Sequence, residues 1–250
     1  IDRWPEEADG VMVRMRPITA DQIARSSRVK VICKQGVGFD TIDLEAARSR
    51  GIAVLTTPGV NSEAVAEMAF ALALTVARRT ARFDRMLRVG EAIVRPQHLG
   101  VQLLGKTVGV VGMGNIGTCV ARKWLGAFSA ELVAFDPHAP KDRWSDLPHR
   151  RVATLNELLD VSDVVTLHLP LTQESRGLIG ARELARMKSD AILINVSRGG
   201  IVDETALAQA LASGHLFGAG LDVFEVEPPP PDHPLLAFDN VVATPHASGG

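Results

Sequence analysis

Val108-Gly109-Val110-Val111-Gly112-Met113-Gly114-Asn115-Ile116-Gly117 runs from an apolar stretch into Gly-x-Gly-x-x-Gly and then into a helical pattern reaching Leu125. A strand that ends in this turn and passes directly into a helix has the form of a dinucleotide-binding βαβ unit. Gly112 permits the tight turn, Gly114 lets the backbone approach a pyrophosphate, and Gly117 lets the helix pack close to the strand. Asn115 and Ile116 open the helix, whose unpaired N–H groups favour an anion. A second apolar stretch, Leu132-Val133-Ala134-Phe135, ends in Asp136-Pro137, at about the spacing expected of a carboxylate that binds a ribose 2′-hydroxyl. That carboxylate repels a 2′-phosphate and no arginine follows at once, so NAD is expected over NADP. Lys141 and Arg143, a little further on, blur the preference.

Outward from this turn, apolar runs recur at residues 151–154, 164–169, 191–196, 218–223 and 241–244, with helical patterns at 156–161, 181–187 and 204–213 between them. Such alternation predicts an α/β fold, a doubly wound parallel sheet whose ligands bind beyond the strand C-termini. Towards the N-terminus the same alternation occupies residues 10–14, 19–26, 29–33, 44–50 and 52–55, a smaller parallel sheet. Thr57-Pro58-Gly59-Val60-Asn61-Ser62 breaks it, which places a hinge near Gly59. The expected division is residues 1–59, an incomplete substrate domain, then 60–245, a Rossmann domain, with 246–250 beginning a return to the first. The helix at 63–79 is rich in Ala and Leu on nearly all faces, as an element buried between domains or subunits would be.

With 46% hydrophobic and 22% charged residues the chain can bury a large core, and a net charge of −2 argues against a nucleic-acid surface. No run is apolar for long enough to cross a bilayer, so no membrane partner is expected. The arginines around Ala77-Arg78-Arg79-Thr80-Ala81-Arg82 read as a solvated helix end. Cys33 and Cys119 read as reduced core residues of a cytoplasmic protein. His98, His138, His149, His215 and His233 have no Cys or acid at ligand spacing, so no metal site is expected.

Three groups follow successive late strands: Arg198, Glu227 and His246. On a parallel sheet they emerge at the edge that carries the glycine turn. Reduction of a 2-oxo acid needs a guanidinium fork for the carboxylate and carbonyl, and a proton donor for the oxygen as hydride reaches carbon. Histidine suits the donor role, and a paired glutamate favours its imidazolium. Singly, each residue has a bland reading as a loop arginine, a solvated acid or a strand-end histidine. The joint order favours the trio. His168 lies between Leu167 and Leu169, which alternate as a buried strand would, and reads as structural or backbone-contacting.

Over nearly its whole length the chain resembles the D-isomer-specific 2-hydroxyacid dehydrogenases, which include phosphoglycerate, glyoxylate/hydroxypyruvate and D-lactate dehydrogenases. The resemblance rests on Gln35-Gly36-Val37-Gly38-Phe39-Asp40-Thr41-Ile42-Asp43, on Asn61 with Val65-Ala66-Glu67, and on the glycine turn. Leu167-His168-Leu169-Pro170-Leu171-Thr172, Asn195-Val196-Ser197-Arg198-Gly199 and Asp222-Val223-Phe224-Glu225-Val226-Glu227-Pro228-Pro229 add to it. It implies a flavodoxin-like substrate domain beside the Rossmann domain, hydride transfer between NAD(H) and a small D-2-hydroxy or 2-oxo acid, and a homodimer with residues 63–87 as the contact surface. By the same resemblance Arg198 binds substrate, Glu227 rather than Glu225 tunes His246, and His246 is the acid/base. Asp222 lies against the nicotinamide carboxamide, and His168, Pro170, Val196, Ser197 and His246 line the cofactor. Arg14 and the backbone near Val37 and Gly38 meet the substrate. Arg14-Met15-Arg16-Pro17 departs from the family pattern, and two readings stay open: added positive charge for a second anionic group, or a pocket narrowed by Met15. Relative to the family's usual length, an N-terminal strand and helix and a C-terminal helix are absent, which leads to the expectation of a trimmed chain that binds NAD with little turnover. The rival from another class is an NAD-sensing scaffold resembling the transcriptional co-repressors that share this fold. A hydrolase using tightly held NAD is disfavoured, because the expected lysine and cysteine set is not found.

Overall fold

A computed structural model describes residues 3–249 except Met15 and Val37. The chain divides into two compact units, Ile1–Asn61 and Ser62–Gly250. The division falls two residues beyond Gly59, and residues 246–249 stay with the second unit.

The first unit contains α1 (Trp4–Glu7), β1 (Gly10–Val13), α2 (Ala20–Arg25), β2 (Val31–Lys34), α3 (Leu44–Ser49) and β3 (Ala53–Thr56), with the strands parallel in the order β1-β2-β3. Sequence chemistry sets its helix starts. Thr19 and Gln22 form a reciprocal capping box at α2, and the Asp43 carboxylate accepts from the Ala46 N–H at α3. Val13, Ile18, Ile23, Ile32, Ile42 and Ile52 close its small core.

The second unit runs α4 (Ser62–Arg78), α5 (Thr80–Val89), β4 (Thr107–Val111), α6 (Asn115–Phe128), β5 (Glu131–Phe135), β6 (Arg150–Arg151), α7 (Leu155–Leu159), β7 (Val164–Leu167), α8 (Ala181–Arg186), β8 (Ile192–Asn195), α9 (Glu204–Ala212), β9 (Gly218–Leu221) and β10 (Val241–Ala243). Its seven strands are all parallel, in the order β10-β9-β8-β7-β4-β5-β6. The chain winds outward from β4 to β6, then returns to lay β7 on the other side of β4. The strand order therefore reverses between β4 and β7, where a ligand crevice opens at the C-terminal ends. Strands β7, β8 and β9 are buried at every position, as a sheet covered on both faces requires. One face carries α7, α8 and α9 through Leu158, Leu184 and Leu207, and the other carries α4 and α6 through Leu72, Val76 and Trp124.

The structure refines or corrects four expectations. Helix α4 buries one face in the second unit's own core, where it packs on β8, β9 and α6, while its apolar Met68, Phe70 and Leu74 are half-buried. Its approach to β9 is close because Gly218 and Gly220 have no side chains; a Cβ at Gly220 would lie 2.8 Å from Leu72. The arginines beyond α4 are not a solvated helix end. Arg79 takes a left-handed conformation that starts α5, stacks its guanidinium 4.7 Å from the Phe217 ring centroid, and donates to the Leu99 carbonyl at 3.0 Å. Arg82 and Arg85 both reach Asp239. The strand expected at 151–154 shrinks to Arg150–Arg151, which pair only with Val133 and Ala134. Cys33 and Cys119 are both free thiols, half-buried rather than in the core.

Candidate active site

The glycine turn fits a dinucleotide on three counts. Gly112 has φ +97°, and a Cβ there would strike the His168 carbonyl, so only glycine lets β4 turn this close to the exit of β7. A Cβ on Gly117 would strike the Gly112 carbonyl, which is the close helix–strand approach expected of the third glycine. In front of Gly114, the N-cap of α6, nothing lies within 4 Å of a built Cβ, and Gly114 and Asn115 are exposed, leaving the first turn of α6 accessible to an anion. Ile116, next in the turn, is half-buried.

Asp136, at the end of β5, accepts from the Met113 N–H at 2.8 Å through one oxygen, and from the His138 and Ala139 N–H groups through the other. Exposed Pro137 lies between these donors. Arg151 fixes the same loop by donating to the carbonyls of Asp136, Ala139 and Pro140. Arg143 donates to the Met113 carbonyl at 2.7 Å and to Thr118 Oγ1, so it is engaged with the glycine turn itself.

At the exits of β7 and β8, the buried Ser197 hydroxyl donates to the Leu167 carbonyl at 2.5 Å and accepts from the Leu169 N–H. Val196 is buried beside it and Pro170 is exposed. His168 shares a 2.8 Å hydrogen bond between Nε2 and Thr166 Oγ1, while its Nδ1 is sealed from solvent with no partner among the described residues. Burial pushes its pKa down to about 3, so the ring is neutral near neutral pH.

Arg198, Glu227 and His246 all belong to the second unit, and it brings them together. His246 Nδ1 lies 2.8 Å from Glu227 Oε2. The other carboxylate oxygen, Oε1, accepts from the Phe224 N–H at 3.1 Å. Burial works to raise the Glu227 pKa, but the His246 bond, the Phe224 N–H and the charges of His246 and Arg198 outweigh it and hold the carboxyl below its ordinary range. Arg198 extends from the loop after β8, where Asn195 ties the Arg198 carbonyl and the Ser197 N–H. Gly199 lies against the Phe224–Glu225 peptide so closely that a Cβ would collide with it. The arginine loop and the glutamate loop are thus packed backbone to backbone.

Asp222 takes a part that sequence spacing does not show. Fully buried at the end of β9, its carboxylate accepts from Thr244 Oγ1 at 2.5 Å and from the Ala247 and Ser248 N–H groups, and its carbonyl accepts from the His246 N–H. Both sides of His246, which sits at φ +52°, are therefore anchored to one residue. The only legible hint is an acid among apolar strand residues, which must be satisfied if buried.

In the first unit, Arg14 follows β1 and its carbonyl accepts from Lys34 Nζ. Gly38 follows β2, where the Gly36 N–H donates to Thr57 Oγ1 at 2.8 Å. Val37 and Met15 lie outside the described residues. Among the described residues no group of three or more His, Cys, Asp or Glu could hold a metal, and no helix is long and apolar enough to cross a membrane.

A parallel sheet with its crevice at the β4/β7 reversal, a glycine turn and an Asp-bearing second strand defines an NAD-binding Rossmann domain. Residues 70–248 match the family model for the D-isomer specific 2-hydroxyacid dehydrogenase, NAD binding domain. The hydroxypyruvate reductase of Thermotoga maritima is 44% identical over 243 residues, covering 96% of this chain and 78% of that protein. The D-3-phosphoglycerate dehydrogenase of Methanocaldococcus jannaschii is 42% identical over 242 residues, covering 96% of this chain but only 46% of that protein. The solved structure of D-lactate dehydrogenase from Aquifex aeolicus, complexed with NAD and lactic acid, superposes with a TM-score of 0.85 at 32% identity, covering 99% of this chain and 78% of that one. The chain belongs to the D-isomer specific 2-hydroxyacid dehydrogenase family. These relatives are reductases and dehydrogenases, so the non-catalytic scaffold reading is not favoured.

Proposed function

We propose that the protein reduces a small 2-oxo acid to the D-2-hydroxy acid, and the reverse, with Arg198 binding substrate, His246 as acid/base and Glu227 tuning it. The observation that carries this is the 2.8 Å bond between His246 Nδ1 and Glu227 Oε2 beside the Arg198 loop. An ionised carboxylate can only accept, so Nδ1 carries its hydrogen and Nε2 is left as the atom that exchanges a proton with substrate. When bound, NADH supplies the hydride that adds to the carbonyl carbon. Arg198 holds the substrate carboxylate and polarises the carbonyl, and the Nε2 proton of His246 passes to its oxygen. Glu227 holds the Nδ1 hydrogen and so fixes the ring with Nε2 free to face the substrate. In the oxidative direction Nε2 accepts the hydroxyl proton as hydride leaves the carbon. His168, Pro170, Val196, Ser197 and Asp222 would line the nicotinamide side of a bound NAD, and the turn from Gly112 to Gly117 with Asp136 and Pro137 would hold its adenosine and pyrophosphate side. That Arg14, Val37 and Gly38 also meet the substrate rests on the family resemblance alone.

The test is NADH oxidation by the purified protein with glyoxylate, hydroxypyruvate, phosphohydroxypyruvate, pyruvate and a bulky 2-oxo acid. His246→Ala is expected to lower kcat by about 10²–10⁴-fold with NADH binding intact. Unchanged turnover in that variant sinks the assignment of the acid/base. We further propose a cytoplasmic homodimer joined through the second unit. The expected contact, residues 63–87, extends to the exposed apolar side chains of Leu87, Val89, Val94, Leu99 and Leu104.

A further inference from the structure

Glu227 is the residue that must be placed against His246, and its loop has few means of holding a shape of its own. The segment from Asp222 to Pro234 contains no strand and no α-helix. Within it the Phe224 N–H donates to Glu227 Oε1 at 3.1 Å and the His233 N–H to the Pro230 carbonyl at 2.9 Å. The Phe224 N–H belongs to the Val223–Phe224 peptide, and the next peptide, Phe224–Glu225, which fixes Phe224 from its other side, is held from outside the segment. On one side Gly199 abuts it. On the other, the Glu225 N–H donates to Glu204 Oε1 at 2.7 Å.

Glu204 is the first residue of α9, and its second oxygen, Oε2, lies 3.0 Å from His233 Nε2. The His233 ring is fixed in turn. Its Nδ1 accepts from the Leu235 N–H at 3.3 Å, so the hydrogen sits on Nε2 and is donated to Glu204. Phe224 packs edge-on against the same ring with centroids 5.4 Å apart. The Glu204 and His233 side chains are 19% and 13% exposed, against 33% and 27% for Glu227 and His246. Beside the exposed His138–Glu174 pair, the second unit thus contains two closer Glu–His pairs, and the more buried one grips the peptide next to the N–H that orients the more open one.

We propose that Glu204 and His233 are positioning residues: a buried pair that fixes the Phe224–Glu225 peptide and thereby aims the Glu227 carboxylate at His246. This rests on the reading of Glu227 and His246 above. Neither Glu204 nor His233 touches the reacting atoms. Their effect passes through two successive peptides joined at Phe224, and displacement of a catalytic group by about 1 Å costs up to 10²-fold in rate.

The experiment compares Glu204→Ala, Glu204→Gln and His233→Ala with Glu227→Gln, singly and combined, reading kcat, NADH affinity by fluorescence, and the His246 Nδ1 proton resonance by NMR. Glu204→Ala and His233→Ala are expected to lower kcat about tenfold with NADH affinity unchanged, and to shift the His246 resonance in the direction that Glu227→Gln shifts it. Glu204→Gln keeps an oxygen for the Glu225 N–H, so it folds and recovers part of the rate. In the Glu227→Gln background, Glu204→Ala should add nothing further, because both act on one group. Loss of thermal stability with kcat and the His246 resonance unchanged overturns the proposal, as does full additivity with Glu227→Gln. If Glu227→Gln itself leaves kcat unchanged, the reading of the active site fails. The pair is then judged separately by whether Glu204→Ala moves the His246 resonance; an unmoved resonance overturns it as well.

Discussion

His168 shows how one buried ring ties the cofactor crevice to the stability of the protein. With its pKa at about 3 in the folded state and about 6.5 in the unfolded chain, the unfolded state binds a proton between those values that the folded state does not. Folding stability therefore falls as pH drops below the unfolded value, and the loss is complete near the folded one. From pH 7 to pH 5 the expected loss from this residue is about 2 kcal/mol. Urea unfolding of the wild type and of His168→Asn at both pH values checks this: the variant should lose less stability on acidification by that amount, and equal losses would place the ring's proton elsewhere. Glu227 acts in a lower window. Its depressed carboxyl stabilises the fold above the ordinary carboxylate range, and that contribution disappears as pH falls through its folded value. At this scale the meeting of Glu227 and His246 beside the Arg198 loop was legible, because each follows a strand of one parallel sheet and topology brings strand ends to one edge. Glu204 and His233 were not legible. They pair across 29 residues, and no local spacing announces such a contact.

At the scale of elements, periodicity located the strands and most helices of the second unit, and it failed where distant contacts decide. Helix α5 is separate from α4 because Arg79 adopts a left-handed conformation without being glycine, held there by Phe217 and the Leu99 carbonyl. Nothing in Arg78-Arg79-Thr80 itself signals that break. The short β6 has the same origin, since pairing stops where the loop tied by Arg151 begins. Helix α4 was legible as a buried helix but not as to what buries it, and β9 supplies the reason: Gly218-Ala219-Gly220 gives a smooth surface on which Leu72 and Val76 seat. Gly220→Ala should then force Leu72 or Ile194 aside, each 2.8 Å from the new Cβ, and cost about 1–3 kcal/mol. Chemical denaturation measures it. A neutral variant would mean that α4 can slide on the sheet, and that its packing does not set the position of β9 and the Asp222 that ends it.

For the whole molecule, the open question at the surface is the run from Leu87 to Leu104. Side chains of Leu87, Val89, Leu99 and Leu104 are 71%, 76%, 69% and 59% exposed, unusual for a stretch of only eighteen residues in a protein whose sheet is otherwise covered. Scattered apolar residues on a surface need no explanation, but several in one connecting segment mark a contact face. A second copy of the chain is the occupant favoured here, because the segment carries Arg88, Glu91 and Arg95 and is preceded by Asp84 and Arg85, and mixed charge around an apolar centre suits a self-complementary two-fold interface. Light scattering after size exclusion at tens of micromolar should give twice the chain mass for the wild type, and the monomer mass for Leu87→Asp combined with Leu99→Asp. NADH binding should survive in the monomer, since the glycine turn, Asp136 and the His246 loop are all built within one chain. A wild-type monomer, or a charged variant that stays dimeric, would remove this face from the interface. Loss of NADH binding on dissociation would instead show that the second copy stabilises the β4/β7 crevice.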